Sequence, residues 1–221
     1  MARNKHPEET RKLIIDTAAQ LFIEQGYDHT SIQDIINHLG GLSKGAIYHH
    51  FKSKEEIMSA VANHLYSNTG AEIQQICDRK DLNGMEKLTE LFNASVSNPA
   101  QADLFKVAPD MLRNPQLLVV YLHDTVQKES SEMVHRVIEE GILDGSIHTD
   151  YPKQLAEVLM LLGDIWLNPM IYHCEPDETL KKLKFYQYLL KLLDLDIITD
   201  EMIGRIEEYA NIYKANKSKA D

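Results

Sequence analysis

Apolar residues recur every three or four positions along this 221-residue chain, a spacing that predicts helices from end to end. No stretch shows the sustained alternation of apolar and polar residues that marks a half-buried strand. The first helix is expected from Pro7 to Gly26, because a proline followed by two carboxylates suits a helix start and a glycine suits its end. The predicted fold class is all-α.

The next region encodes two short helices joined by a tight turn. Thr30 with Gln33 predicts a capping box, so that the first of the two begins at Ser31. Gly40 and Gly41 predict its end, because glycine adopts left-handed backbone angles without steric cost. Its apolar residues fall on one face: Ile32, Ile35, Ile36 and Leu39.

The second short helix is expected to be capped by Ser43 and to divide its side chains by face. Three residues are predicted to point inward: Leu42, Ala46 and Ile47. Four are predicted to point outward: Lys44, Gly45, Tyr48 and His49. A helix in the major groove of DNA needs small residues at its first turn, with hydroxyls and cations to hold phosphates. The layout indicates a helix-turn-helix, although an ordinary solvated helix pair presents a similar face and stays open on spacing alone.

The segment from Thr30 to Ile57 resembles the TetR family of transcriptional regulators, and the resemblance extends over roughly residues 8–65. It rests on these residues: Thr30, Ile35, Gly40, Ser43, Lys44, Gly45, Tyr48, Phe51, Lys54 and Glu55. The resemblance implies an all-helical homodimer. A three-helix helix-turn-helix head, residues 1–65, would be joined to a helical ligand-binding and dimerisation domain, residues 66–221. The helix from Ser43 would read the operator, and Ser53 with Glu56 predicts a further capping box and helix after it.

Together these arguments predict a face that contacts DNA. It comprises Thr30, Ser31, Ser43, Lys44, Gly45, Ala46, Tyr48, His49, Lys52 and Lys54. Two departures from the family pattern bear on it. The turn LGGLSKG is one residue longer than the commonest family turn, which affects the angle of the recognition helix. Ala46 stands where many members carry a threonine, so one hydroxyl contact to the DNA backbone is absent.

The charge distribution is compatible with DNA binding, although the whole chain has a net charge of −11. Residues 1–58 hold seven Lys and Arg against eight Asp and Glu, whereas the remaining residues hold 16 against 26. The cations of the first region cluster at the predicted DNA face. We therefore expect salt-sensitive operator binding with modest non-specific affinity, because the acidic remainder repels the duplex.

Composition and motifs narrow the class of protein. The sequence contains no apolar run long enough to span a membrane and no N-terminal secretion signal, so a cytoplasmic protein without a membrane partner is expected. Cys77 and Cys174 lie far apart with no paired-cysteine spacing, which predicts neither a disulfide framework nor a metal site. Walker A, GxGxxG, GxSxG and HExxH motifs are absent. We expect no enzyme, no catalytic residue and no cofactor.

Beyond residue 65 the sequence predicts six further helices, at residues 84–97, 102–113, 115–144, 152–173, 177–195 and 200–217. The fourth and fifth of these carry wide apolar faces. The resemblance implies that they pair with their symmetry mates as a four-helix bundle. The residues predicted for this interface are Leu155, Leu159, Leu162, Leu183, Tyr186, Leu189, Leu190 and Leu193. Packing of both faces inside one protomer is the alternative.

A ligand cavity is expected between the head and the dimer bundle. Its predicted lining comprises Phe105, Met111, Tyr121, His123, Met133, Trp166, Asn168, Met170 and Tyr172. An apolar or aromatic effector fits this lining, although a plain core role for each residue stays open.

The sequence therefore predicts a ligand-responsive transcriptional regulator. We expect a repressor that binds a pseudo-palindromic site in double-stranded operator DNA as a homodimer and is released by a small effector. Activation is also open, because the sign depends on where the operator lies. The alternative is a helical homodimer that acts through protein interaction, with operator binding lost or secondary.

Overall fold

The computed structural model describes residues 7–65, 69–127, 129–172 and 174–217, and within them all regular structure is helical, which confirms the all-α prediction. The helices are α1 (Pro7–Gln25), α2 (Ile32–His38), α3 (Lys44–His50), α4 (Lys54–Leu65), α5 (Thr69–Asp78), α6 (Gly84–Ser97), α7 (Pro99–Val107), α8 (Pro115–Gln127), α9 (Glu129–Asp144), α10 (Pro152–Met160), α11 (Pro176–Leu192) and α12 (Asp200–Lys217). A π-helix, Leu161–Trp166, continues directly from α10. None of the described helices is both long enough and apolar enough to cross a membrane.

Helices α1 to α4 share one hydrophobic core. Ile14, Phe22, Ile35, Ile47 and Ile57 come from all four helices and are fully buried. The same core continues into the rest of the chain, because buried residues of α7, α8 and α12 belong to it. Helix α7 packs on both α1 and α4. The head is therefore joined to the body by continuous packing.

A second core lies between α6, α9, α10 and α11. Helices α6 and α9 approach closely at two glycines, since a Cβ added to Gly84 would lie only 2.3 Å from the Cα of Gly141. Beside them the buried Lys87 ammonium donates to the Glu140 carboxylate at 2.6 Å and to the Cys77 carbonyl at 2.7 Å. These contacts satisfy a buried charge and fix α6 against its neighbours.

Helix α12 closes the body by hydrogen bonds to distant carbonyls. The Tyr209 hydroxyl donates to Val96 O at 2.6 Å, and the Tyr213 hydroxyl donates to Pro109 O at 3.3 Å. Asn216 donates to two further carbonyls at the end of α7. The C-terminal helix thus holds α6 and the α7–α8 connection in place.

Several predicted helix bounds are confirmed, and others are wrong. The helices predicted at 84–97 and 200–217 have those bounds in the structure. The helix predicted at 102–113 is instead Pro99–Val107: Asn98 accepts a hydrogen bond from the backbone of Ala100, and the chain leaves the helix before Pro109. The helix predicted at 115–144 is recorded as α8 and α9, on either side of residue 128, which lies outside the described residues.

Candidate DNA-binding face and ligand cavity

The cap of α2 is Ser31, and the prediction of a Thr30–Gln33 capping box is wrong. The Ser31 hydroxyl accepts from Asp34 N at 3.1 Å, and the Asp34 carboxylate accepts from Ser31 N at 2.8 Å. The Asp34 carboxylate also accepts from the Ser31 hydroxyl at 2.6 Å, and this hydrogen bond, together with the one from Ser31 N, holds the pKa of the Asp34 carboxyl below its ordinary value. The Thr30 hydroxyl is buried and donates to Gly26 O at 2.8 Å, so it supports the α1–α2 turn instead of facing DNA.

The turn between α2 and α3 depends on its two glycines. Gly40 has φ of 53° and Gly41 has φ of 132°, backbone angles that residues with a side chain rarely adopt. Ser43 then caps α3 as predicted, and its hydroxyl accepts from Ala46 N at 3.2 Å. The longer turn is therefore built from a specific backbone geometry, and it ends at a well-formed helix start.

Helix α3 presents the face that the sequence predicts. Lys44, Gly45, Tyr48 and His49 are exposed, whereas Ile47 is fully buried in the first core and Ala46 is half-buried. Ser31, Ser43 and Lys52 are exposed as well. The Lys44 ammonium lies 5.8 Å from the centroid of the Tyr48 ring, which brings a cation and a phenol hydroxyl to one surface.

Gly45 has no structural reason to be a glycine. It lies within α3, and among the described residues a Cβ added there would meet only the Ser43 hydroxyl oxygen, at 3.9 Å. A glycine inside a helix costs up to about 1 kcal/mol relative to alanine. An open site that keeps a glycine at this cost suits a surface that another molecule approaches closely.

Lys54 is held against the protein. Its ammonium donates to Tyr27 O at 2.9 Å and lies 4.1 Å from the centroid of the Tyr27 ring, and burial lowers the pKa of Lys54. An ammonium has three donors, so this contact leaves capacity for a phosphate. Nearby, burial lowers the pKa of His50, with smaller contributions from His49 and Arg11.

A cavity of about 350 Å³ lies in the body, between α6, α7, α8, α9, the π-helix and α12. Four residues of the predicted lining face it: Phe105, Tyr121, Met133 and Asn168. The remaining wall is mostly apolar and includes Leu88, Leu91, Phe92, Val134, Leu159, Leu167, Ile197 and Ile206. The body therefore contains a partly open, mainly apolar cavity of ligand size.

Other residues of the predicted lining lie elsewhere. Met111 and Met170 are buried in the first core, where Met111 N donates to Met170 O at 3.0 Å. Trp166 and Tyr172 do not line the cavity, and the Lys182 ammonium lies 5.2 Å from the centroid of the Trp166 ring and 4.3 Å from that of the Tyr172 ring. Helical periodicity does not distinguish these locations from the cavity. The His123 side chain lies outside the described residues.

Asn168 organises the polar part of the cavity. Its carbonyl oxygen accepts from Met170 N at 2.9 Å, and its amide donates to the Tyr121 hydroxyl at 2.9 Å. The Tyr121 hydroxyl in turn donates to the backbone carbonyl of Asp164 at 2.8 Å. This chain of hydrogen bonds ties α8 to the π-helix.

Asp164 is a cavity residue that the sequence reasoning missed. It lies within the π-helix, where Leu167 N donates to Leu162 O, five residues earlier. Burial in the apolar wall raises the pKa of Asp164 to about 6. Burial also raises the pKa of Tyr186, with a smaller contribution from the Asp164 charge. The sequence signal for this residue is a single acid between Gly163 and Ile165, but the spacing does not show whether its side chain points to the cavity or to solvent.

Helix α7 links the cavity to the head. Phe105 lines the cavity and is also buried in the first core, which contains the residues of α1 and α4. Tyr121 on α8 likewise lines the cavity and packs against that core. A molecule that displaces either side chain would therefore disturb the hydrophobic core that α3 shares with α1 and α4.

The predicted dimer residues are mostly internal. Leu159, Leu183, Tyr186 and Leu190 are buried within the protomer, and Leu155, Leu162 and Leu189 are half-buried. Of the predicted set only Leu193 is exposed. The exposed apolar residues of these helices instead include Val158, Leu161, Phe185, Tyr188, Leu192 and Leu193. Both helices are apolar as predicted, but most of the residues predicted for the dimer interface belong to the face that packs inside the protomer.

Comparisons with known proteins agree with this architecture. Residues 14–61, from α1 to α4, match the model of the family described as bacterial regulatory proteins, tetR family. The HTH-type transcriptional repressor KstR2 of Mycolicibacterium smegmatis is 34% identical over 155 residues, which cover 68% of this chain and 73% of that protein. This similarity extends well beyond the helix-turn-helix.

Solved structures share the fold over most of the chain. A TetR-family transcriptional regulator from Pectobacterium atrosepticum superposes with a TM-score of 0.64 at 22% identity, covering 86% of this chain and 97% of that one. A gamma-butyrolactone receptor, described as an ArpA-like protein, gives a TM-score of 0.53 at 18% identity and covers 95% and 99% of the two chains. At these identities the similarity establishes the fold.

Proposed function

The chain belongs to the tetR family of bacterial regulatory proteins, and from this premise we propose that it is a repressor that binds a pseudo-palindromic operator as a homodimer. Helix α3 enters the major groove, and Ser43, Tyr48 and Lys52 hold the flanking phosphates. A small molecule in the body cavity lowers the affinity for the operator.

The exposed face of α3 carries this proposal. It combines a cation, a phenol and a glycine that the protomer does not need, on a helix whose opposite side is fixed in the core. A recognition helix requires one face packed firmly in the core and, on the other face, exposed side chains that are available to contact DNA. The near-neutral charge of residues 1–58 places little electrostatic opposition beside the DNA.

Dimerisation is supported by the exposed apolar residues of α11 and of the segment preceding it. Phe185, Tyr188 and Leu192 fall at i, i+3 and i+7 and are each more than half exposed, so they form one outward stripe on α11. Val158 and Leu161 add exposed apolar surface from α10 and the π-helix. A twofold axis at this surface would bury the stripe against its own copy and set two α3 helices on one side of the duplex.

The effector response follows from the packing of α7. Phe105 belongs both to the cavity wall and to the core of the head, so the occupied and empty cavities favour different positions of α1 and α4. A coupling free energy of about 1–3 kcal/mol between cavity and operator would change the affinity for DNA roughly 5- to 150-fold.

The contact face is tested by alanine replacement of Tyr48 and Lys52, with Tyr151 and Lys153 as matched exposed controls on the body. Both head variants should weaken operator binding and should keep their helicity and dimer mass, because these side chains are exposed. The Lys52 variant should also show a smaller dependence of affinity on salt. Unchanged affinity in both head variants, or equal losses in the body controls, would remove α3 as the contact face.

A further inference from the structure

The polar groups of the cavity wall are almost all satisfied by the protein itself. Every hydroxyl that lines the cavity within the described residues has a hydrogen-bond partner, and Asn168 uses both ends of its amide. These hydroxyls belong to Ser95, Tyr121, Thr179, Tyr186 and Tyr209. They shape the wall but are already engaged before any ligand enters.

The Asp164 carboxylate is the exception. No described residue donates a hydrogen bond to it, although its backbone carbonyl is engaged by Tyr121. It is also the one charged side chain among the described residues that line the cavity, where no lysine, arginine or histidine opposes it. An ionised carboxylate without a partner is unfavourable in an apolar wall, and an entering hydrogen-bond donor or cation would offset that cost.

The rest of the wall suits a cation with an apolar body. Five aromatic rings line the cavity: Phe92, Phe105, Tyr121, Tyr186 and Tyr209. Aromatic faces attract cations, and the interaction strengthens where water is excluded. An anionic ligand would meet a carboxylate and no counter-charge, so the wall disfavours carboxylates and phosphates.

The backbone at Asp164 provides an independent indication. The residue lies in a π-helix of six residues that interrupts the end of α10, and π-turns inside helices occur frequently at functional sites. Gly163 beside it also lines the cavity, and among the described residues no atom would lie within 4 Å of a Cβ placed there. The π-helix thus places the Asp164 carboxylate next to open space in the cavity.

From this geometry we infer that the effector is a small amphiphilic cation, with a protonated amine on the Asp164 carboxylate and an apolar or aromatic body among the rings of the wall. This inference rests on the proposed function, in which the cavity holds the effector. It narrows the chemical class from any apolar molecule to an amine.

Three probes with one body and different head groups test it: phenylbutylamine, phenylbutanol and phenylbutyrate. Calorimetric titration of the full-length protein without DNA should show the amine binding about tenfold or more tightly than the alcohol, because a charge-assisted hydrogen bond forms only with the amine. The carboxylate should bind most weakly. Equal affinities, a preference for the carboxylate, or no binding of the amine would overturn the inference.

Two variants assign the effect to the residue. Asp164→Asn should lower the affinity for the amine to that for the alcohol, while Asp150→Asn, the same change at an exposed site outside the cavity, should leave the preference intact. Retention of the preference by Asp164→Asn would refute the role of this carboxylate. Because these titrations contain no DNA, a failure of operator binding leaves their outcome unaffected; adding the amine to the protein–operator complex then tests release separately.

Discussion

Asp164→Asn should stabilise the ligand-free protein near neutral pH. The carboxyl titrates near its ordinary value of 3.8 in the unfolded chain and at about 6 in the folded protein. Between these pH values the folded state binds more protons, so stability falls as pH rises. The difference of about 2 pKa units corresponds to about 3 kcal/mol once the pH exceeds 6. An asparagine cannot ionise and avoids this cost.

Urea unfolding at two pH values measures the effect. At pH 7.5 the free energy of unfolding of Asp164→Asn should exceed that of the wild type by about 3 kcal/mol, and at pH 5 by roughly half as much. Asp150→Asn should differ from the wild type by less than about 0.5 kcal/mol, because its side chain is exposed. A loss of stability at pH 7.5, or the same gain at both pH values, would refute the placement of an ionised carboxylate in the apolar wall.

Three further replacements test other parts of the account. Gly45→Ala should keep or raise the free energy of unfolding by up to about 1 kcal/mol yet weaken operator binding in a gel-shift titration; unchanged binding would mean that DNA does not approach α3 closely. Leu192→Glu should shift sedimentation from dimer to monomer, whereas Leu143→Glu, at another exposed leucine, should not; a stable dimer in the first variant would exclude the α11 stripe from the interface. Gly84→Ala should lower the free energy of unfolding by about 3 kcal/mol, because the new Cβ would lie 2.3 Å from the backbone of α9. Gly204→Ala, where a Cβ meets no atom of the described residues within 4 Å, should not destabilise the protein. Equal stability of the two variants in urea would contradict this helix packing.

Local capping signals predicted the start of α3 correctly but not the cap of α2. Ser43 caps α3 as predicted, and neither of its neighbours, Leu42 and Lys44, is a residue type that commonly caps a helix. At α2, by contrast, two adjacent residues could each have served as the cap. Burial decided between them: the Thr30 hydroxyl was taken up by Gly26 O, which left Ser31 and Asp34 to form the box. That choice depends on tertiary packing and is invisible in a local pattern.

The sequence also does not show which side of an apolar helix packs inside the protomer. Helix α11 is apolar on more than one side, so that Leu183 and Tyr186 fill the core while Phe185 and Tyr188 remain exposed. Periodicity predicts that such a helix has apolar contacts, but it does not say which residues meet the same protomer. The positions of the neighbouring helices determine which residues are buried. As a result, most residues predicted for the interface are buried or half-buried within the protomer.

Asp164 illustrates the limit for the cavity. The sequence predicts Asn168 in the cavity lining, and in the structure its amide group is already hydrogen-bonded to the Tyr121 hydroxyl and to Met170 N. The carboxylate was overlooked because an acid between apolar residues on a helix is usually turned to solvent. Only the π-helix, combined with the burial of its surroundings, brings this charge to the cavity.

The central claim is that a dimer of this chain reads a pseudo-palindromic operator through α3. It is tested most directly by selecting fragments of the genome that encodes it on the purified protein and footprinting those retained, at low and high salt. The account predicts a protected pseudo-palindrome with half-sites about one helical turn or a multiple apart, weakened by salt and lost in Tyr48→Ala. Recovery of no specific fragment, or protection that Tyr48→Ala leaves unchanged, would contradict it.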